Sequence, residues 1–387
     1  MTGCGIFLGI VNIAVLIPNC NGTGQNDTQI FSDCQADITN IASTHNDTGS
    51  VGCYVSPETK DLANTLRVTL YYVRHGESQW NEMSKTYFEW QLNRNPKLTD
   101  AKLTEKGVGE ARVLSDTIVK MAEKTNTPAD WKLLAGQKDL PYEGSQGPNG
   151  NRTVAFATSN LRRASLTFLS AFKHLMSPQR KVDKLHILSA LQEPASNIDS
   201  NSLSRPHGPP ALSPGCPLFP REEDIFNNQC NHGDEMDKKN RHHSAEQLLD
   251  NFCIWMRNMA VFGQVPTANE NVVGNLSRPV ITDFVVAGHS MFLRGFFKRF
   301  MKPSKKSSSL ENRIASTFST VGNGSLIKIT LDLHNPRNKD GKLNSIQDVC
   351  QIVPANTELL NGNLHGRGIL KKISSSIHVN ALETHQN

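Results

Sequence analysis

The sequence predicts an α/β fold, a three-layer sandwich in which helices flank both faces of a mostly parallel central sheet. Three observations carry this. Apolar runs rich in β-branched residues (Val68 to Val73, Val154 to Thr158, Val280 to Ala287) alternate with segments of helical periodicity. The runs lack polar alternation, as strands buried on both faces do. Each is followed by polar residues, and in such sheets ligands sit beyond the carboxyl ends of the strands.

The elements follow in order. Residues 1–65 read as a poorly ordered leader, rich in Asn, Thr, Ser, Asp and Gly from residue 19 onward. Within it Gly5 to Pro18 is apolar enough for a signal segment, but no Lys or Arg precedes it and no clear cleavage site follows. A cytoplasmic location is the favoured reading, with secretion the alternative if residues 1–20 act as a signal peptide. The main domain spans 66–355. After the first strand, Thr104-Glu105-Lys106-Gly107 opens a helix with Val108, Ala111, Leu114, Ile118 and Met121 on one face. Residues 124–152 read as an insertion loop. The second strand feeds a helix over Leu161 to Met176, and Leu185 to Leu188 is a short strand. Residues 194–243, rich in Pro, Ser and Asn, read as a second insertion. Ser244-Ala245-Glu246-Gln247 is a capping box opening a helix with Leu248, Phe252, Trp255, Met256 and Met259 on its apolar face. The third strand ends at Gly288-His289, a helix follows from Met291 to Phe300, and Ser325 to Leu333 is a last strand. Residues 356–387 read as a tail.

Composition narrows the function classes. Lys and Arg exceed Asp and Glu by five without forming a basic stripe, so neither nucleic acid nor an acidic membrane is implied as a partner. No segment reads as a confident membrane span. The eight cysteines contain no Cys-x-x-Cys pair, which argues against a zinc module, and four of them precede residue 54. Two disulfides in a secreted tail are the alternative to free thiols, and sequons at Asn21, Asn26, Asn46, Asn151, Asn275 and Asn323 are compatible with that. The composition leaves the oligomeric state open.

The chemistry gathers at three strand ends: Arg74 and His75, then Ser159 to Arg163, then Gly288-His289-Ser290. A parallel sheet brings all of them to one edge. Two arginines and two histidines there make a cationic pocket suited to a phosphoryl group, whose oxygens carry distributed negative charge. An imidazole attacks phosphorus only through a neutral nitrogen, and neighbouring guanidinium groups lower its pKa in that direction.

Arg74-His75-Gly76-Glu77-Ser78-Gln79-Trp80-Asn81 resembles the signature of the histidine phosphatase superfamily, in its phosphoglycerate mutase-like branch. Three further segments resemble that family's motifs in the right order: Leu98 to Gly107, Thr158-Ser159-Asn160-Leu161-Arg162-Arg163-Ala164, and Gly288-His289-Ser290. The resemblance covers roughly residues 66 to 335 outside the two insertions. It implies a phosphoglycerate mutase-like fold, with His75 as the nucleophile that becomes phosphohistidine. Arg74, Arg163 and His289 would bind the phosphoryl group, with Asn81 and Ser290 as further phosphate contacts. Glu193 fits the slot of the acid that protonates the leaving oxygen, with Asp199 as the fallback. The scheme requires no metal or other cofactor, and its partner is a phosphorylated small molecule or phosphoprotein.

Several residues carry a plainer alternative. Asn81 could cap a helix, Glu77 could be a charge at a helix start, and one of Arg162 and Arg163 is expected to be an exposed helical charge. His232, His242 and His243 could suggest a metal, but in a polar insertion they read as solvated loop residues. The family's mutases carry an Arg-His-Tyr-Gly run soon after the acid, whereas this chain has Pro194 to Asp199 there. Hydrolysis of a phosphomonoester is therefore favoured over mutase activity. A non-catalytic phospho-ligand binding protein is the alternative from a different class; it would need the arginines but not His75.

Overall fold

A computed structural model describes residues 65–137, 152–172, 174–175, 184–212, 225–232, 244–264, 280–301, 321–334 and 345–362. The leader, with its candidate signal segment and clustered cysteines, lies outside the described residues, as do His242 and His243. No helix among the described residues is long and apolar enough to cross a membrane.

The described strands are β1 (Leu66–Arg74), β2 (Val154–Ser159), β3 (Leu185–Leu188), β4 (Phe226–Asn227), β5 (Asp283–Gly288), β6 (Leu326–Leu333) and β7 (Cys350–Asn361). They form one sheet in the order β4-β3-β2-β5-β1-β6-β7. The first five in that order run parallel, and β6 and β7 are added antiparallel at one side. The sandwich is therefore mostly parallel, as the alternating pattern predicts.

The helices are α1 (Gln79–Met83), α2 (Glu89–Leu92), α3 (Glu105–Ala122), α4 (Ala129–Leu134), α5 (Arg162–Ala171), α6 (Ala245–Phe262), α7 (Ser290–Phe300) and α8 (Ile346–Val349). Successive side chains of β1 enter opposite faces. Val68, Leu70 and Tyr72 pack with Phe252, Trp255 and Met256 of α6 and with Phe292 and Phe296 of α7. Tyr71 and Val73 pack on the other face with Leu114 and Ile118 of α3 and Phe168 and Leu169 of α5. The capping box at Ser244 forms: its hydroxyl accepts from the Gln247 amide at 3.2 Å, and its own amide donates to Gln247 Oε1 at 2.7 Å. Gly263 closes α6 with φ of 72°, in left-handed backbone that a residue with a Cβ would enter only under strain.

The structure corrects five readings. Val108 and Met121 are only half-buried; α3 buries Gly107, Ser115 and Ala122 instead, because small residues allow its close approach to the sheet layer. The segment from 124 is not a structureless loop, since α4 buries Trp131, Leu133 and Leu134; a helix of 6 residues is too short to display periodicity. The helix after β2 ends at Ala171 rather than Met176, although Phe172 and Leu175 beyond it stay buried and so prolong the apolar pattern. Residues 194–243 contribute β4 and several buried polar groups to the domain, held by hydrogen bonds rather than apolar periodicity. Strand β7 runs past residue 355 to Asn361, across the point where the sequence reading started a tail. As the outer strand with two register shifts against β6, it lacks the buried alternation that would mark it.

At the amino ends of β2 and β5, Arg152 is held by two carboxylates. Its Nε donates to Asp283 Oδ2 at 3.0 Å and its NH1 to Asp130 Oδ1 at 2.9 Å. Tyr71 Oη donates to the same Asp130 oxygen, and Lys328 Nζ donates to its other oxygen at 2.7 Å. Asp283 is fully buried. Arg152→Met should cost about 3–5 kcal/mol, the range for stranding a buried charge by removing its partner. Chemical unfolding checks this, and Arg152→Met with Asp283→Asn should be less destabilised than Arg152→Met alone.

Candidate active site

β1 delivers Arg74 and His75 beside the end of β5, because Arg74 pairs with Gly288 in the parallel register. The His75 amide donates to the Gly288 carbonyl at 3.0 Å, which extends the pairing one residue past the strand. On the other side the Arg74 amide donates to Ser325 O at 3.0 Å, and Gly324 N donates to Arg74 O at 3.0 Å. The turn is also held from α5, where Gly76 N donates to Thr167 Oγ1 at 3.0 Å. Gly76 must be glycine for a packing reason: a Cβ there would lie 2.4 Å from the Gly107 carbonyl oxygen in the first turn of α3.

His75 is buried, and its Nδ1 lies 2.7 Å from the Gly76 carbonyl oxygen. A carbonyl can only accept, so Nδ1 carries the proton and the Nε2 lone pair is left for attack. Burial first, then Arg163, His289 and Arg74, lower the His75 pKa well below its ordinary value. The sequence reading credited the guanidinium groups; burial is the larger cause.

Arg163 enters from the first turn of α5 and is buried. It donates to Asp199 O at 2.7 Å and to Glu193 Oε2 at 3.2 Å. His289 stands at the end of β5, with its ring centroid 5.0 Å from that of His75. Its Nδ1 lies 3.2 Å from Glu193 Oε2 and its Nε2 lies 2.9 Å from Ser159 Oγ at the end of β2. Burial and Arg163 lower its pKa to about 4, against the opposing pull of Glu193. Burial alone would raise the Glu193 pKa, but His289, Arg163 and His75 hold it well below the ordinary carboxylate range. Glu193 is thus an ionised carboxylate 3.2 Å from His289 Nδ1, which makes no aligned hydrogen bond among the described residues, while Nε2 pairs with Ser159 Oγ. Among the described residues, Arg74 Nε and Arg163 Nε are buried without a hydrogen-bond acceptor. Two guanidinium groups with unspent donors around a neutral imidazole fit an oxyanion.

Five of the residues singled out in the sequence (Arg74, His75, Arg163, Glu193 and His289) therefore share one cluster. Asp199 contacts Arg163, its Oδ2 being 3.4 Å from NH2, and burial raises its pKa to about 6. Glu193 touches both Arg163 and His289, so it is the better placed carboxylate. Asn81 completes the capping box of α1, whose cap is Ser78: its Oδ1 accepts from the Ser78 amide at 3.2 Å, and its amide donates to Ser78 Oγ at 3.2 Å. Ser290 is the first residue of α7 and is half-buried. The Glu77 carboxylate is committed to Lys106, at 3.0 Å, and to Lys85.

Sequence reasoning missed several supports. Arg162 is not an exposed helical charge: its amide donates to Asp100 Oδ1 at 2.9 Å, and its Nε donates to the Asp100 carbonyl. Asp100 Oδ2 accepts from Leu203 N at 3.1 Å, so this one buried carboxylate, raised to about pKa 6 by burial, joins three segments. Asn160 Nδ2 lies 3.3 Å from Ser189 Oγ and 3.4 Å from both Gln192 Oε1 and Asn231 Oδ1. This polar layer anchors Gln192, immediately before Glu193, to residues in the presumed insertion. His232 belongs to the same layer through its amide, which donates to Ser189 Oγ at 2.8 Å. Tyr72 clamps His289, donating to its carbonyl at 2.9 Å and accepting from its amide at 2.6 Å. Only the Asp100 motif left a sequence signal.

The ligand atoms of His75, Glu193 and His289 lie within 4.8 Å of one another, close enough to hold a metal ion. Arg74 and Arg163 beside them oppose a divalent cation and favour an anion.

A Cβ on residue 288 would lie 2.2 Å from Tyr72 Oη. Gly288→Ala should therefore break the clamp on His289 and destabilise the domain by about 1–3 kcal/mol, as overpacking does. Unfolding measurements check this, and Tyr72→Phe combined with Gly288→Ala should cost less than the sum of the two single changes.

No protein-family model and no curated protein matches this chain. Among solved structures, the chain is similar to mycobacterial glucosyl-3-phosphoglycerate phosphatase at 11% identity, covering 76% of this chain and 100% of that one, with a TM-score of 0.32. It is similar to "Mycobacterial hydrolase 1" at 14% identity, covering 77% and 100%, with a TM-score of 0.32. For phosphoserine phosphatase from Entamoeba histolytica the identity is 13%, the coverage 77% and 97%, and the TM-score 0.30.

Proposed function

We propose that the chain is a phosphatase that hydrolyses a phosphomonoester through a phosphohistidine at His75. The observation that supports this most is the His75 tautomer: Nδ1 is spent on the Gly76 carbonyl, so the attacking nitrogen is free and neutral inside a cationic pocket.

The His75 Nε2 lone pair attacks phosphorus, and the bond from phosphorus to the ester oxygen breaks with its electron pair passing to that oxygen. Arg74 and Arg163 neutralise the phosphoryl oxygens as charge shifts toward the leaving group, while the neutral His289 lies against Glu193. Glu193 gives the departing oxygen a proton. Because the empty site holds Glu193 ionised, this proton arrives with the substrate as the monoanion of the phosphomonoester. In the second half Glu193, again a carboxylate, takes a proton from water, whose oxygen attacks phosphorus. The phosphorus–nitrogen bond breaks, its electrons return to Nε2, and inorganic phosphate leaves with the proton from Glu193, which is again a carboxylate. Ester and water are consumed, and alcohol and phosphate are produced.

Rapid alkaline quenching during turnover of a radiolabelled phosphomonoester should trap an alkali-stable, acid-labile label on the wild-type chain. His75→Ala should carry no label and have no turnover, while Glu193→Gln should lose about 10²–10⁴ in rate. Unlabelled but active wild type would point to direct attack by water.

The pH dependence follows from the same groups. The substrate's second ionisation, near pKa ~6, should make kcat/KM fall about tenfold per unit at higher pH. His75 is held well below its ordinary value, so no loss should occur as pH falls through ~6.5, where an unperturbed histidine takes up its proton. A pH profile of kcat/KM with an alkyl phosphate checks both limbs.

A further inference from the structure

A cavity of about 930 Å³ opens beside Glu193, which forms part of its wall while also contacting Arg163 and His289. A phosphoryl group at His75 would therefore direct its ester oxygen, and the alcohol attached to it, past Glu193 into this space. The volume suits a drug-sized organic group better than a two- or three-carbon one.

The wall is apolar. Trp80 and Leu92 line it from a small core cluster, Leu248 lines it from α6, and Tyr87 and Met291 are each 50% exposed along it. Phe88 and Trp90, on the same segment as Tyr87, are 72% and 57% exposed, so apolar surface continues outward along that segment. Arg94, a little further along, is stacked over the Trp90 ring at 5.2 Å.

The charged side chains among the described lining residues are Glu89 and Glu193; Glu193 is paired with Arg163 behind the wall, and no Lys or Arg is among the described lining residues themselves. A second anionic group on the alcohol would thus meet the Glu89 carboxylate with no Lys or Arg among the described lining residues, whereas an apolar group would gain by leaving water. We infer that the substrates are phosphomonoesters of bulky, uncharged aromatic or aliphatic alcohols, and that small phosphorylated acids are poor substrates. The inference rests on the phosphatase reading above and names its substrate class.

The test compares 2-(2-naphthyl)ethyl phosphate, glycerol 3-phosphate and 3-phosphoglycerate. All three release primary alcohols, so differences in leaving-group chemistry are small. Wild type should hydrolyse the naphthylethyl ester with kcat/KM about tenfold or more above the other two, in the range that apolar pocket contacts give. Glu89→Lys should raise kcat/KM for 3-phosphoglycerate by about fivefold, as removal of an exposed like charge and gain of an opposite one would. Calorimetry on His75→Ala measures the same preference as binding, without chemistry. Hydrolysis of 3-phosphoglycerate as fast as the naphthylethyl ester would overturn the inference and leave the phosphatase reading standing. A naphthylethyl preference in binding with no hydrolysis by wild type would do the reverse. Equal binding of all three by His75→Ala would also overturn it.

Discussion

The site depends first on the parallel pairing of β1 with β5. These strands are remote in sequence, yet their register sets Arg74 opposite Gly288, so that His75 and His289 follow from neighbouring strand ends. Insertion of β5 between β1 and β2 creates this arrangement, because consecutive strands in the sequence are then not neighbours in the sheet. A crevice at such a strand-order switch is where open α/β sheets place ligands. The third contribution, Arg163, arrives from the helix after β2, and the His75 tautomer is fixed by the carbonyl of its own turn. The placement of His75 is thus largely a backbone property, while its electrostatics come from burial and from the side chains around it.

Those electrostatics are built from unequal parts. Arg74 and Arg163 supply positive charge, Glu193 supplies one negative charge, and burial keeps both histidines neutral. A neutral His75 is a nucleophile at any pH near neutrality, while a charged one would be another cation in the pocket. His289 has the complementary task of holding Glu193, with Ser159 fixing the far side of its ring. Asp199 and Asp100 lie behind Arg163, and burial raises both toward neutrality. With pKa values of about 6 both are still largely ionised near pH 7, so they temper the Arg163 charge there and release it only as pH falls.

What could be read from the sequence was local. The strands β1, β2, β3 and β5 announced themselves because a strand buried on both faces is a continuous apolar run, and α6 because its capping box is a short-range device. Arg74, His75 and His289 were visible because strand ends must converge on one edge, whereas Arg163 over Arg162, and Glu193, were picked out by the motif resemblance. What stayed hidden depends on contacts between distant segments. Tyr72 looks like one more core aromatic until its hydroxyl is seen against His289, 217 positions away. Arg162 looks like a surface charge until Asp100 appears beside it, and Asn231 sits in a stretch that reads as loop. The edge strand β7 and the short helix α4 carry too few buried positions to show a period. Asn81 is the instructive case, since the same residue type in the same place satisfies a phosphate-contact motif and a helix cap, and the structure puts its Oδ1 in the cap.

The Arg152 cluster lies at the opposite end of β5 from His289, and the two ends treat charge in opposite ways. At the amino end, Arg152 and Lys328 face Asp130 and Asp283 with short, mutually satisfied contacts. At the carboxyl end, guanidinium donors are left unspent and imidazoles are kept neutral against their preference. A site that withholds partners from its own charges gives up stability to gain affinity for an incoming anion. The domain is therefore polarised along its strands, with cohesion concentrated at one end and reactivity at the other. Substitutions that give the unspent donors at the carboxyl end a partner within the chain should stiffen the protein while weakening its hold on an anion.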